Sequence, residues 1–470
     1  MLVLDGAKVH ARSDPAVPAE DRSPLPRPSP TGAAGAAAKE APPRAFASRS
    51  DPVKRAIRVA LAAGQVSPDD AARYRSFWTD ARSTRKRLSG TRARELGSVI
   101  DTVAAIAGRG GLVAPRMPAL FLILERNRQW WAAKGAPASG ARVRFGATRL
   151  IFQYYPGQGL QVQPLANFGA ANGYWYASND KALRALVDEL LAIRVVRGGF
   201  TAWEYYFRFG GGSPPWVSGM AQGTAVQALA RAGTLLQDPG LLSVAQTGLG
   251  AFEQRTPLGA RVPAGTGAWY ALYSFAPRLE VLNGMLQSLI GLHTYATLTG
   301  DARGMGLFGQ GDETARARIG AFDTGAWSLY SRSGAEANLN YHTLNRDFAR
   351  RLCKLTASEP YCKASENFTR YLREDPKLDP AAPAPAPARA GRGMRFTFSL
   401  SKVGRVGITV SALGKTYLST SAGFSRGSRY FRWVPPRLRS ERTYDYRLFA
   451  RDLAGNTATT TGTVRVKPAR

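Results

Sequence analysis

The sequence predicts a multidomain α + β protein: a mainly helical central domain that contains a small β element, followed by a C-terminal β-sandwich. Three observations support this fold class. The chain has 470 residues, enough for two or three domains with sizeable cores. Apolar residues recur at helical spacing through most of residues 51–378, and they alternate in period two after a Pro–Ala segment. We therefore expect a tail at 1–50, the helical domain at 51–378, a linker at 379–390 and the sandwich at 391–470.

The first half of the chain changes twice in composition and hydrophobic pattern. Residues 1–50 are rich in Pro, Ala and Ser, which predicts a disordered tail, and residues 51–131 carry patterns for three or four helices. Between 142 and 176, β-branched and aromatic residues alternate with polar ones around Gly and Pro, which predicts a hairpin or small sheet. Ser178 is the expected N-cap of the next helix. More helices are expected at about 216–236, 239–254, 281–299 and 345–357.

The C-terminal segment begins after the run A-A-P-A-P-A-P-A-R-A at 381–390, whose composition predicts an extended, semi-rigid linker. Five segments beyond it alternate apolar and polar residues with turns between them, as in a β-sandwich. The run R-L-F-A-R-D-L-A-G-N-T-A at 447–458 resembles the last hairpin of bacterial immunoglobulin-like modules on secreted and surface enzymes. This resemblance implies an extracellular or cell-envelope location.

The formal net charge is +31, which suits a polyanionic partner. Only 12 of the 64 cations are Lys, however, and this skew towards Arg is also what a GC-rich genome gives. No nucleic-acid-binding motif accompanies the charge, so an anionic glycan is favoured over nucleic acid. The sequence predicts no membrane span, and its start lacks the pattern of a signal peptide, so the location stays open.

The two cysteines, Cys353 and Cys362, enclose a segment with a turn signal at Pro360 and Tyr361. Either a local disulfide or two buried thiols agrees with this spacing. Neither His nor further Cys residues lie nearby at metal-ligand spacing, so no metal site is expected.

Three tyrosines lie in short segments rich in Gly, Asn, Asp and Pro between predicted helices: Tyr273, Tyr330 and Tyr341. Loop residues on a helical scaffold are well placed to carry chemistry. The segments W-Y-A-L-Y-S-F-A-P-R-L-E-V-L-N-G at 269–284, F-D-T-G-A-W-S-L-Y at 322–330 and A-N-L-N-Y-H-T-L-N at 337–345 follow P-W-V-S-G-M-A-Q-G-T-A at 215–225. Together they resemble the C-terminal domain of D-glucuronyl C5-epimerases, over roughly residues 150–370.

The resemblance implies a helical α/α toroid with a central cleft, although the periodicity of the sequence alone agrees equally with a bundle or an open array. It implies an isomerase that inverts C5 of glucuronic acid in a heparan-type polysaccharide, such as heparosan, without an organic cofactor. Tyr273 and Tyr341 would transfer the protons and Tyr330 would assist, with the direction of transfer open. Animal members have a carboxylate where this chain has Leu272, and their arginine lies three residues after the tyrosine, not two. A homodimer is compatible with the sequence.

Several further residues are candidates for substrate binding, each with a structural alternative. Arg332 is the expected clamp for the uronate carboxylate, and His342 could donate to the enolate or tune a phenol. Trp216 and Gln222 either line the cleft or pack the core. The remaining candidates are Asn283, which the sequence places equally well as a helix cap, and Asn172 and Trp175, which a turn after a hairpin also explains.

Two other function classes stay open at this point. A polysaccharide lyase begins with the same proton abstraction and then eliminates the leaving oxygen. A non-catalytic glycan-binding protein of the cell envelope is compatible with the basic C-terminal segment.

Overall fold

The computed structural model of the protein describes residues 1–6, 8–17 and 51–469, which combine α-helices with β-sheets. The predicted mixture of α and β structure is confirmed. The toroidal arrangement of the helices and the sandwich arrangement of the C-terminal strands stay predictions. Within the described residues, none of the helices is both long and apolar enough to cross a membrane.

The helices lie mainly in the central part of the chain. They are α1 (Pro52–Ala62), α2 (Pro68–Arg87), α3 (Gly90–Gly108), α4 (Met117–Ala133), α5 (Pro164–Tyr176), α6 (Asp180–Ala192), α7 (Gly219–Leu235), α8 (Pro239–Gly248), α9 (Gly250–Glu253), α10 (Leu282–Thr299), α11 (Ala302–Arg318), α12 (Leu339–Thr356) and α13 (Glu359–Tyr371).

The strands are short in the first part of the chain and longer near its end. They are β1 (Leu2–Asp5), β2 (Lys8–Ala11), β3 (Arg142–Phe145), β4 (Phe152–Tyr155), β5 (Gly159–Val162), β6 (Val195–Arg197), β7 (Phe200–Ala202), β8 (Arg261–Ala264), β9 (Gly267–Tyr270), β10 (Leu378–Pro380), β11 (Ala388–Arg389), β12 (Met394–Leu400), β13 (Gly404–Ala412), β14 (Lys415–Phe424), β15 (Gly427–Trp433), β16 (Arg442–Asp452) and β17 (Thr457–Lys467).

The described residues form two compact units. The first unit comprises the chain up to Glu280 together with Gln287–Thr314, and the second comprises Val281–Leu286 and the residues from Ala315 onwards. Helix α10 therefore begins in the second unit and continues in the first. The predicted boundary at the Pro–Ala linker does not coincide with this division, because residues 315–378 and the C-terminal strands belong to one unit.

The N-terminal residues differ from the prediction of a disordered tail. Strands β1 and β2 form an antiparallel pair, and β1 also pairs in parallel with β3, which gives a five-stranded sheet in the order β2-β1-β3-β4-β5. Asp14 then accepts hydrogen bonds from Arg144 (3.0 Å) and Tyr174 (2.6 Å). The tail prediction is therefore wrong for these residues, because long-range pairing orders them; its remaining part, residues 18–50, lies outside the described residues.

The predicted β element near 142–176 is present in the first unit, but it is shorter than expected. Strands β3, β4 and β5 fill residues 142–162, and helix α5 follows from Pro164. Gln163 caps α5 by accepting a hydrogen bond from the amide of Ala166 (3.3 Å). Asn172 and Trp175 consequently lie on a helix and not in a turn after a hairpin.

Helices α7 and α10 approach each other closely in the first unit at a pair of glycines. A Cβ atom on Gly291 would overlap the carbonyl oxygen of Gly223, and one on Gly223 would lie 2.7 Å from the Cα of Ser288. Interhelical contact at this distance is compatible only with glycine at both positions. The crossing therefore fixes the spacing of the two helices that begin within the segments at 215–225 and 269–284.

A buried ion cluster anchors the segment after β7. The carboxylate of Glu204 accepts two hydrogen bonds from Arg116 (2.7 and 2.9 Å) and one from Arg197 (2.6 Å). Burial by itself would raise the pKa of Glu204, but the hydrogen bonds and charges of the two arginines outweigh it and lower that pKa. The carboxylate thus stays ionised and holds the chain that leads into Tyr205 and Tyr206.

Helices α12 and α13 of the second unit are linked covalently. Cys353 of α12 and Cys362 of α13 form a disulfide bond, which decides between the two alternatives that the sequence left open. Helix α12 begins at Leu339, where Asn338 accepts a hydrogen bond from the amide of Tyr341 (2.8 Å). The prediction that this helix begins at 345 was wrong, and Tyr341 and His342 lie in its first turn.

The C-terminal strands of the second unit form two sheets that share one apolar core. One sheet has the order β10-β12-β15 and the other the order β11-β17-β16-β13-β14. Phe396 of β12 and Trp433 of β15 contact Tyr446 and Tyr444 of β16, with ring centroids 5.0 Å apart in both pairs. The expected alternation of buried and exposed residues is seen in β12, β13 and β16.

Other boundaries differ by a few residues from the sequence predictions. The N-cap of α6 is Asn179, whose side chain accepts from the amide of Ala182, and not Ser178. The predicted helix at 239–254 is split into α8 and α9. The Pro–Ala segment is not a free linker, because the amides of Ala381 and Ala384 bond to β12 carbonyls at 2.9 and 3.0 Å.

Candidate functional site

Tyr273 lies in the first unit, in the loop after β9, and its side chain is 8% exposed. The loop is held by two hydrogen bonds between Val217 and Ser274: the Ser274 amide donates to the Val217 carbonyl (3.0 Å) and the Val217 amide to the Ser274 hydroxyl (3.1 Å). The amide of Gly219 donates to the carbonyl of Ala271 (3.0 Å). Tyr273 is thus fixed to the chain segment that precedes α7.

Aromatic side chains surround Tyr273. Its ring centroid lies 5.4 Å from that of Phe209, 5.9 Å from that of Trp216 and 5.5 Å from that of Phe275. Trp216 in turn stacks on Tyr205 at 4.1 Å, with an interplanar angle of 4°. This wall of aromatic rings can present an apolar face to a sugar ring, and phenylalanines 209 and 275 were not singled out from the sequence.

Two further tyrosines near this wall, Tyr155 and Tyr205, are poor candidates for the catalytic base. Burial raises the pKa of Tyr155 to about 12 and raises that of Tyr205 well above its ordinary value. Both phenols also bond to Gln163, whose amide donates to Tyr155 (3.4 Å) and accepts from Tyr205 (3.3 Å). They therefore stay protonated at neutral pH.

Tyr330 and Tyr341 lie together in the second unit, with ring centroids 4.9 Å apart and planes inclined at 60°. Tyr330 is 6% exposed and Tyr341 is partly buried. Tyr330 lies in a hairpin in which Leu329 pairs with Glu336, and its amide donates to the carbonyl of Ala335 (3.0 Å). The structure thus brings together two of the three predicted tyrosines from different elements, a hairpin and a helix.

His342 is completely buried behind this pair, at 0% exposure, and both of its ring nitrogens bond within the protein. Nδ1 accepts from the amide of Ser328 (3.2 Å), and Nε2 donates to the carbonyl of Phe368 (2.9 Å). Burial lowers its pKa to about 4. The neutral imidazole therefore bonds to the segment around Ser328 and to α13. Both ring nitrogens are used in this way, so neither is directed at a ligand, whereas the sequence had suggested that His342 could donate to the enolate.

Arg332 is at the exposed tip of the hairpin that carries Tyr330. The next residue, Ser333, has a φ of 59°, in the left-handed region, and the amide of Gly334 returns to the carbonyl of Ser331 (2.9 Å). This tight turn places Arg332 at the protein surface.

Gln222 and Trp216 are both used by the fold of the first unit. Gln222 accepts from the amide of Trp203 (3.1 Å) and donates to the carbonyl of Thr201 (3.0 Å). The indole of Trp216 donates to the carbonyl of Phe207 (2.9 Å). Of the two alternatives, Gln222 therefore packs the core, whereas Trp216 is a buried residue that also contacts Tyr273.

Asn172 and Trp175 meet Arg231 in the first unit. The guanidinium donates to Asn172 Oδ1 (2.7 Å) and lies 4.3 Å from the centre of the Trp175 ring. Asn172 also donates to Gln227 (3.3 Å), which accepts from Gln287 (3.3 Å). The result is a buried polar network across α5, α7 and α10. Only its two α5 residues were candidates from the sequence.

Asn283 is not the cap of α10. The helix begins at Leu282, and the carbonyl of Val281 accepts the first helical bond, from Met285 (3.2 Å). Asn283 is 1% exposed in the first turn, and its Nδ2 has no hydrogen-bond partner among the described residues. The capping prediction was therefore wrong, because helix α10 starts one residue earlier.

Side chains that commonly bind metal ions do not cluster in the part of the chain that the structure describes. No group of three or more His, Cys, Asp or Glu residues in the described part of the chain could hold a metal ion. The chemistry available near the predicted site is that of phenols, guanidinium groups and amides.

Comparisons with known proteins give one family and several distant likenesses. An uncharacterized protein of Methanocaldococcus jannaschii, MJ1128, is 25% identical over 171 residues, which is 35% of this chain and 56% of that protein. The match thus spans little more than half the length of that relative.

Among solved structures, a cellobiose 2-epimerase from Bacillus thermoamylovorans B4167 has a TM-score of 0.35 at 10% identity, over 60% of this chain and 75% of that one. The alkylpurine DNA glycosylase AlkC of Pseudomonas fluorescens, bound to DNA containing an abasic site analog, has a TM-score of 0.15 at 8% identity, over 84% and 97%. Neither likeness is close enough to support an argument about fold or activity.

The family match is specific to the middle of the chain. It begins at Arg197, in β6, and ends at Arg370, in α13, so it contains all three candidate tyrosines but neither Asn172 nor Trp175. Residues 197–370 match the model of the family described as the D-glucuronyl C5-epimerase C-terminus, the family that their motifs resemble.

Proposed function

We propose that this protein is an isomerase that inverts C5 of glucuronic acid residues within an acidic polysaccharide. The observation that carries the proposal is the family match over residues 197–370, which contains Tyr273, Tyr330 and Tyr341 in order. The family gives the reaction class, and the chemistry below assigns roles to the residues.

The reaction needs a base and an acid on opposite faces of the sugar. The C5 hydrogen lies next to a carboxylate, so a base removes it as a proton and the C–H electron pair spreads into the carboxylate as an enolate. An acid on the other face then returns a proton to C5, which inverts the centre without changing the composition of the sugar. Positive charge near the carboxylate stabilises the enolate, which carries an additional negative charge.

Tyrosine can fill both proton-transfer roles, because its ordinary pKa of about 10 permits either a phenolate base or a phenol acid after modest tuning. Tyr273 and Tyr341 are our candidates for the pair, and Tyr330 is the assisting residue. The charges of Arg346 and Lys402 both disfavour protonation of His342, the neighbour of Tyr341.

Arg332 is our candidate for the carboxylate clamp. It is exposed two residues after Tyr330, and a guanidinium can donate two parallel hydrogen bonds to one carboxylate. The hydrogen bond from the amide of Gly334 to the carbonyl of Ser331 holds the backbone of the hairpin tip that carries Arg332. Trp216, Asn283, Asn172 and Trp175 stay secondary candidates for contacts with the sugar.

Proton NMR in deuterium oxide tests the proposal. Desulfated heparosan is incubated with the wild-type protein and with Tyr341→Phe, and both the C5 proton and the olefinic region are followed. Loss of the C5 signal without an olefin, abolished by the substitution, is the expected result. An olefinic signal would instead identify a lyase, and retention of every C5 proton on a panel of uronans would refute the epimerase.

A second candidate function, binding of an anionic glycan, is favoured by the outer face of strands β12 and β15. Arg395 and Arg432 lie directly opposite each other in the ladder, a pairing of like charges that destabilises a sheet. Beside them, Tyr430 is 50% exposed and the Arg395 guanidinium lies 4.7 Å from its ring centre. A polyanion would offset the repulsion, and the ring offers a stacking surface for a sugar.

This face belongs to a strongly basic segment. Residues 391–470 contain 16 cations and 3 anions, a net charge of +13. The two candidate functions are compatible, because binding of the polymer by the C-terminal segment would retain a substrate that the tyrosines convert.

A further inference from the structure

The hairpin that carries Tyr330 and Arg332 is tied to the C-terminal sheets through one carboxylate. Glu336 accepts the amide of Val403 on Oε1 and the amide of Arg426 on Oε2, both at 2.9 Å. Val403 lies in the turn between β12 and β13, and Arg426 in the turn between β14 and β15. Each carboxylate oxygen thus satisfies one backbone donor, and the ladder partner of Glu336 is Leu329, the residue before Tyr330.

A buried lysine makes a second tie in the same unit. Lys402 and Asp452 form an ion pair at 2.8 Å, with side chains 1% and 0% exposed. The ammonium also donates to the carbonyls of Tyr371 (2.8 Å) and Glu374, at the end of α13. Its three donors are therefore all used, two of them by the helical part of the chain.

Lys402 also contacts an aromatic residue of the segment that precedes Tyr330. Its Nζ lies 5.7 Å from the ring centre of Trp327, a cation–π contact, and the indole of Trp327 donates to the carbonyl of Ala337 (2.7 Å). His342 stacks on Trp327, with ring centroids 3.7 Å apart. A continuous set of contacts thus runs from the C-terminal strands to the first turn of α12, where Tyr341 lies.

Further hydrogen bonds complete this junction. Asn456 donates to the carbonyl of Leu372 (3.0 Å). The amide of Lys377 donates to the Ser401 hydroxyl (2.9 Å), and the amide of Ser401 donates to the carbonyl of Lys377 (3.1 Å). An inert spacer module on a linker would make few such contacts. All of the C-terminal partners lie outside the family match, which ends at Arg370.

We propose that the C-terminal strands are a working part of the catalytic unit, in which Glu336 and Lys402 position Tyr330, Arg332 and Tyr341. Glu336 fixes the hairpin, and Lys402 fixes the Trp327–His342 stack behind α12. Both are positioning residues, since neither need touch the substrate. The inference rests on the proposed function for its effect on turnover, but its structural part is testable without any activity.

The variant Glu336→Gln is the sharpest test, because it removes the charge and leaves only one oxygen to accept the two amides. Glu441→Gln is the matched control, since Glu441 is an exposed acid immediately before β16. Hydrogen–deuterium exchange of the full-length proteins is the first measurement. We expect peptides covering residues 328–341 to exchange at least fivefold faster in Glu336→Gln, with α7 and α10 unchanged and the control like wild type.

Turnover is the second measurement. Glu336→Gln should lower kcat for deuterium incorporation at C5 at least tenfold while KM for the polymer changes less than threefold, and Glu336→Asp should restore part of kcat. Exchange at 328–341 equal to that of the control, or a uniform increase throughout the chain, would overturn the positioning role. If Glu336→Gln showed faster exchange at residues 328–341 but the wild type had no activity, the proposed function would be refuted. The role of Glu336 in holding the hairpin would then still be established.

Discussion

Trp327 and His342 stack face to face, with ring centroids 3.7 Å apart and an angle of 9° between their planes. The imidazole is neutral, because the amide of Ser328 donates to Nδ1 and Nε2 donates to the carbonyl of Phe368. The stack therefore connects the start of the Tyr330 hairpin with α12 and α13. Its integrity depends on the protonation of one ring.

Stability should therefore depend on the pH through His342. Its folded pKa is lowered to about 4, whereas histidine in an unfolded chain has a pKa near the ordinary 6.5, so the unfolded state binds the extra proton between these values. The contribution of neutral His342 to the free energy of unfolding is complete above pH 6.5. It is lost progressively as the pH falls towards 4, by up to about 3 kcal/mol.

Urea unfolding at pH 7 and at pH 4.5 measures this effect. His342→Gln should be less stable than wild type at pH 7 but should lose less stability on acidification. His10→Gln is the control, because His10 is exposed, and it should keep the slope of the wild type. An unchanged slope in His342→Gln would show that other groups cause the acid sensitivity.

Removal of the Tyr341 hydroxyl should abolish most of the activity. A proton-transfer group contributes about 10²–10⁴-fold to a rate, so Tyr341→Phe should lower kcat by at least about 10²-fold. The fold should persist, since the amide of Tyr341, and not its side chain, bonds to the Asn338 cap.

Solvent-deuterium incorporation at C5 and thermal unfolding are the two readouts for this variant. Tyr74→Phe is the matched control, since Tyr74 stacks on Phe121 in the helical part of the first unit. Wild-type turnover by Tyr341→Phe would remove Tyr341 from the mechanism and leave Tyr273 and Tyr330 as candidates.

Reduction of the disulfide should loosen α12 against α13. Cys353 and Cys362 are 9 residues apart in sequence, and closing a loop of this size stabilises a fold by about 2–3 kcal/mol through the unfolded state. Urea midpoints with and without reductant measure the effect. The double variant Cys353→Ser/Cys362→Ser should match the reduced wild type and should not respond to reductant; equal midpoints for oxidised and reduced wild type would contradict the prediction.

The basic outer face of β12 and β15 should bind heparosan in a salt-dependent manner. Arg395→Gln/Arg432→Gln should weaken binding by about tenfold at low ionic strength, because two positive charges are lost at the centre of the face. Tyr430→Ala should weaken it through the lost stacking surface, with less effect of salt.

Affinity chromatography on immobilised heparosan across a salt gradient separates these contributions. Arg447→Gln/Arg465→Gln is the control, since these exposed arginines lie in the other C-terminal sheet. Equal loss in both double variants would mean that net charge, and not this face, retains the polymer.

The sequence predicted the family of the central segments better than their local structure. Tyr341 was expected in a loop because N-L-N-Y-H is polar, yet Asn338 is a good N-cap and starts α12 there. Helix α11 was not predicted, since its G-M-G-L-F-G-Q-G run has low helix propensity and is stabilised by packing. Strand β1 was missed because the composition of residues 1–50 as a whole indicates disorder, and because one of its two partners, β3, is about 140 residues away in sequence, where local patterns do not reveal pairing.

The candidate site was predictable only in part for the same reason. Tyrosines 273, 330 and 341 were found through ordered motifs, whereas the burial of both ring nitrogens of His342 depends on Ser328 and Phe368, which come from separate elements. The role of Glu336 was likewise hidden, because its partners are backbone amides with no sequence signature.

The buried Lys402 has a consequence for how such chains can diverge. Its ammonium covers two carbonyls at the end of α13 and is neutralised by Asp452 from another strand, so the three positions depend on one another. If recombination replaced the C-terminal strands by those of a relative, a buried charge would lose its partner or the two carbonyls at the end of α13 would lose their donor. Only a replacement that brought matching residues with it would avoid this. The C-terminal segment therefore matches its own helical partners and is not expected to behave as an interchangeable cassette.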